Sequence, residues 1–105
     1  MTTLEFKQIR LRNGQLFDYK RHLVDTIIRT VPPLDAQGMP KRGFNDDDMG
    51  EAEALALKIE QANGSVELTA AEVMQIAQKV EMFQWPFSDQ AFRQFVADIT
   101  ALRSQ

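Results

Sequence analysis

The 105-residue chain contains no cysteine, which excludes disulfides, thiolate nucleophiles, iron-sulfur clusters and cysteine zinc sites. It has one histidine, so a metal site built on several imidazoles is excluded too. No apolar run approaches the roughly 18 residues of a membrane-spanning helix. There is no Gly-x-x-x-x-Gly-Lys phosphate loop, dinucleotide fingerprint, internal repeat or low-complexity tract. Met1 to Arg12 carries Glu5, Lys7, Arg10 and Arg12 and lacks the apolar core of a signal peptide, so the expectation is a cytoplasmic protein with no membrane partner.

What remains is the composition of an ordinary globular chain, at a length that predicts one domain over 1–105. The charge is unevenly placed. Residues 1–42 hold eight Lys or Arg against four Asp or Glu, a balance of +4, while residues 43–105 hold four against eleven, or −7. Such polarity can steer one end to an anionic surface or let copies meet head to tail.

Hydrophobic spacing and punctuation predict an α+β, mostly α-helical fold: about four helices around one core, an N-terminal β-hairpin over 4–17, and a third short strand at Val66–Leu68. In the first strand Leu4 and Phe6 share one parity and Ile9 and Leu11 the other, which implies a bulge or an angled strand. Asn13-Gly14 suits a type I′ turn. Asp18 opens a first helix over about 19–31 with the stripe Leu23, Val24, Ile27, Ile28 and Val31, stopped by Pro32-Pro33. A long loop over 32–44 leads to Asn45, the cap of a second helix over about 46–62 with the stripe Met49, Ala52, Leu55, Ala56 and Ile59. Asn63-Gly64 ends that helix. Thr69 and Glu72 form a capping box for a third helix over about 70–83, and Ser88 or Asp89 caps a fourth over about 89–102.

The catalytic inventory is thin. His22 sits beside Lys20 and Arg21, whose charge resists its protonation. Asp46, Asp47 and Asp48 lack EF-hand spacing, and consecutive helical residues diverge, so helix-dipole stabilisation accounts for them without a metal. Neither catalytic residues nor a metal or cofactor site is assigned. Two segments suit recognition instead: the basic loop with Lys41, Arg42 and Phe44, and the aromatic turn with Trp85 and Phe87. Each has a plain alternative: Phe44 as a hydrophobic staple, and Trp85-Pro86-Phe87 as the closure of a helical core. A different reading places nucleic acid on Arg10, Arg12, Lys20 and Arg21, although the sequence pI of about 5.1 gives no basic footprint.

The order of parts resembles small uncharacterised phage and prophage proteins encoded among virion-structure and assembly genes. The resemblance spans residues 4–102 and is carried by Phe17-Asp18-Tyr19, the Pro/Gly/Lys/Arg loop, Ala62-Asn63-Gly64, the run Val66 to Val73 and Trp85-Pro86-Phe87. It implies a protein that binds other proteins during particle assembly, and it transfers no catalytic residues. The sequence therefore leads to a non-enzymatic protein-interaction module, an assembly or adaptor protein with a protein partner or a second copy of itself. The alternative is a small nucleic-acid-associated regulator using the basic half.

Overall fold

The computed structural model describes residues 1–32, 34 and 37–104. The chain runs β1 (Thr2–Glu5), β2 (Gln8–Arg10), β3 (Leu16–Asp18), α1 (Tyr19–Arg29), α2 (Asp46–Gln61), β4 (Ser65–Leu68), α3 (Ala70–Met82), α4 (Gln90–Ala101) and a closing 3-10 turn, Leu102–Ser104. The fold is α+β and mostly helical, with short antiparallel strands that include the N-terminal hairpin. The stop role expected of Pro33 and the loop positions Asp35 and Ala36 lie outside the described residues.

The first strand divides its pairing. β1 pairs antiparallel with β4, Leu4 opposite Val66, and β2 pairs antiparallel with β3, Ile9 opposite Phe17. Between them the Phe6 N–H donates to the Gly64 carbonyl and the Lys7 carbonyl accepts from the Tyr19 N–H. The break thus falls where the apolar parity switches, because one half of the segment serves β4 and the other β3.

The hairpin turn differs from the expected type I′. Within the turn only Gly14 takes a positive φ, +88°, and among the described residues no non-glycine residue does. Gly14 N–H donates to the Leu11 carbonyl and Leu11 N–H to the Gln15 carbonyl, so the loop is three residues long and Gly14 supplies its left-handed position. The Asn13 side chain accepts from the Gln15 N–H at 2.9 Å. That local bond is satisfied without Asn13 taking a positive φ.

Each helix begins on the residue whose side chain satisfies its free amides. Asp18 accepts from Lys20 N–H, and Asp89 accepts from Ala91 N–H. Asn45 with Asp48 and Thr69 with Glu72 both form reciprocal capping boxes. Gly64, at φ +73°, turns the chain from α2 into β4. Tyr19, Leu23 and Ile27 of α1, Ile59 of α2, Ile76 of α3, Phe95 and Ile99 of α4, and Leu68 of β4 are completely enclosed. Ile28 and Met49, both on the anticipated apolar stripes, face outward instead, as does Met74 of α3.

Candidate functional site

The basic loop and the aromatic turn are built differently, and the structure uses much of each internally. Lys41 Nζ lies 2.7 and 2.6 Å from the two Asp48 carboxylate oxygens. Both side chains are largely covered, and Asp48 also accepts from the Asn45 N–H. The Lys41 bond, then the Asn45 bond, holds the Asp48 carboxyl below its ordinary range. Asp46 and Asp47 remain exposed while Asp48 turns inward, so the acidic triplet does not converge. Phe44 is half-buried against the core, with Lys79 Nζ 5.3 Å from its ring centroid. Arg42 is exposed.

Trp85 closes the end of the core. Its indole is stacked between His22, at 4.7 Å and 17°, and Phe92, at 4.5 Å and 20°, with Phe83 edge-on at 4.8 Å. Phe87 leans on Phe92 at 5.1 Å and stays 48% exposed. No hydrogen bond or ion pair joins Lys41, Arg42 or Phe44 to Trp85 or Phe87 among the described residues.

The alternative cationic set is also dispersed. Lys20 Nζ donates to the Ala62 carbonyl at 2.6 Å, at the C-terminal end of α2 where a cation is favoured. Arg10 donates to the Gly14 carbonyl at 2.8 Å, within its own hairpin. The Arg12 N–H donates to Asp89 at 3.0 Å, which ties the hairpin tip to the start of α4. That bond, with the one from Ala91 N–H, lowers the Asp89 carboxyl. Arg21 is exposed on α1.

Two concavities border the aromatic cluster. A groove of about 690 Å³ runs between the hairpin and α1, lined by Leu16, Arg21, His22, Val24 and Ile28 among others. A cleft of about 360 Å³ lies along the start of α4, lined by Trp85, Phe92, Arg93 and Val96 among others. Leu16 is 57% exposed and Ile28 47%. No family model matches the chain, and neither does any curated protein or solved structure.

Sequence reasoning passed over three polar contacts. Lys79 is enclosed, its Nζ donating to the Ile27 carbonyl at 2.8 Å near the end of α1. Its position three residues after Ile76 and four before Phe83 places it beside the buried stripe of α3 and was the available signal. Tyr19 donates its hydroxyl to Asp98, and Asp89 bonds the hairpin tip; each joins segments more than seventy residues apart, a distance that local pattern does not encode.

These environments set the response to pH. Burial lowers the His22 pKa, against an opposing pull from Asp25, so His22 is held neutral in the fold. The unfolded chain then binds the extra proton, and stability falls as pH drops through the ordinary histidine value of about 6.5 toward the lower folded value. Burial, then the Asp98 hydrogen bond, raises the Tyr19 pKa. The unfolded chain loses that proton first, so stability also falls as pH rises above about 10. Urea midpoints across this range are expected to trace both slopes, the alkaline one flattening in Tyr19→Phe and the acidic one in His22→Gln. An unchanged alkaline slope in Tyr19→Phe refutes the assignment.

Proposed function

We propose that this chain is a non-enzymatic protein-interaction module, an assembly or adaptor protein of the phage and prophage kind whose order of parts it resembles. One observation carries the reading: bulky apolar side chains are held at the surface by a rigid frame. Leu16 and Ile28 share the groove beside α1, and Phe87 is propped on the Phe92–Trp85 stack. Exposed apolar groups set beside arginines are the composition of a protein-recognition surface. Lys41, Phe44 and Trp85 act in this reading from beneath: Lys41 fixes the start of α2, Phe44 packs under Lys79, and Trp85 supports Phe87. Arg42 and Phe87 are the members of the original set that a partner would touch directly. The nucleic-acid alternative is weakened because Lys20, one of its four cations, is spent on a carbonyl of the same chain.

The test is capture from the native host with the wild-type chain and with two variants, Leu16→Ser/Ile28→Ser and Arg42→Glu/Phe87→Ser. The expected result is stoichiometric capture of one protein, lost in at least one variant whose melting temperature is preserved. Capture of DNA or RNA with affinity that falls steeply with salt would replace this reading by the alternative.

A further inference from the structure

We infer that the partner includes a second copy of this chain, docked head to tail: the acidic outer ridge of α2 in one copy meets the arginine-rimmed hairpin end of the next. This deepens the interaction-module reading and rests on it. The ridge consists of Asp46, Met49, Glu53, Leu57 and Glu60, whose spacing of three and four places them along one side of α2. The buried face, with Ala52, Leu55, Ala56 and Ile59, lies about a third of a turn round from it, so the ridge is one flank of α2. Met49 and Leu57 are about half exposed, and Leu57 adjoins Ala54 and Met1 on a shallow surface that Lys58, Gln61 and Glu67 also line. Asp46, Glu53 and Glu60 are exposed and take part in none of the ion pairs among the described residues.

The complementary end carries Arg10, Arg12, Arg21 and Arg93, likewise outside those ion pairs, around the exposed Leu16 and Phe87. The carboxylates close to it are engaged. Asp18 and Asp89 cap α1 and α4, and Asp25 pairs with Arg29 at 2.9 Å. Lys20 reaches the end of α2, whereas His22 reaches Phe83, Trp85 and Phe95. Two residues apart on a helix is a rotation of about 200°. The end of α2 and the aromatic turn therefore lie on different flanks of α1, and no ion pair joins the acidic ridge to the arginine-rimmed end among the described residues. A contact between unlike surfaces of this kind leaves one of each free at the two ends of every open oligomer, so it propagates until a ring closes. The surface charges that drive it are screened by salt.

Sedimentation velocity of the full chain from micromolar to millimolar concentration tests this. The expected result is mass that rises with concentration at low salt and returns to monomer at high salt. Glu53→Arg/Glu60→Arg and Arg21→Glu/Arg93→Glu are each expected to stay monomeric. An equimolar mixture of the two is expected to associate again, because one retains the original arginine-rimmed end and the other the original acidic ridge. Leu57→Ser, which changes no charge, is expected to weaken the wild-type association. A monomer at every concentration in low salt overturns the inference, as does association that survives both reversals. Either result leaves capture of a different protein by the wild-type chain unaffected, so the two readings fail separately.

Discussion

Phe95→Ala is expected to lower stability by about 3–5 kcal/mol, a large part of the roughly 5–15 kcal/mol that holds a small domain together. The melting temperature should fall by roughly 12–40 °C, since each kcal/mol is worth about 4–8 °C in a domain of this size. Phe95 is completely enclosed, and its ring lies 5.3 Å from Phe17, 4.9 Å from Tyr19 and 5.4 Å from His22. One side chain of α4 thereby touches β3 and both early turns of α1. Removing it opens a cavity between rings that cannot slide together, because Tyr19 is tied to Asp98 and His22 is stacked on Trp85. Phe87→Ala is the control. Its ring is half exposed and meets only Phe92 among the recorded ring contacts, so the change should stay within about 0.5 kcal/mol. Thermal melts followed by circular dichroism separate the two, and equal losses would show that the aromatic cluster is not the centre of the core.

The contrast between these two phenylalanines marks what the sequence can and cannot disclose. Helix starts were legible because the signal is local: Asn45, Thr69, Glu72 and Asp89 act on amides two or three residues away. The helix-ending glycine after Asn63 was legible for the same reason. Which side of an apolar stripe is covered was less so. Met49 and Met74 satisfy the period of their helices yet face outward, because the width of the buried stripe depends on which neighbours pack there. The turn at Asn13-Gly14 went to the three-residue form because pairing of Leu11 with Gln15 fixes the loop length, and dipeptide preference follows that length.

The candidate site was harder to read, and for a physical reason. Lys41, Arg42, Phe44, Trp85 and Phe87 have the composition of a recognition surface, but composition does not separate a cation that meets solvent from one that meets a carboxylate of its own chain. Lys41 finds Asp48 and Lys20 finds the end of α2, each through a contact that depends on tertiary placement. The groove residues Leu16 and Ile28 look like core positions in the sequence. They become surface because the hairpin and the outer face of α1 meet at an edge that no further element covers among the described residues.

Lys79 provides the second large effect and shows how burial and charge compete at one position. Its side chain is enclosed, burial lowers its pKa, and Asp48 and Glu51 oppose that shift by favouring the charged form. The ammonium stays compensated through the Ile27 carbonyl at 2.8 Å, the Phe44 ring and the field of Asp48. Lys79→Glu reverses every one of these interactions. It puts a carboxylate against a carbonyl at the negative end of α1 and near two acids of α2, and is expected to cost at least about 3–5 kcal/mol, the usual penalty for an uncompensated buried charge. Lys79→Met fills nearly the same volume without a charge. It leaves the Ile27 carbonyl short of one donor, worth about 1–3 kcal/mol, but it also removes the desolvation cost of the ammonium, so its net loss should fall at or below the low end of that range. Urea unfolding should therefore place wild type and Lys79→Met close together and Lys79→Glu far below, or unfolded without denaturant. If Lys79→Glu matches Lys79→Met, the side chain reaches solvent and does not join α1, α2 and the loop before Asn45.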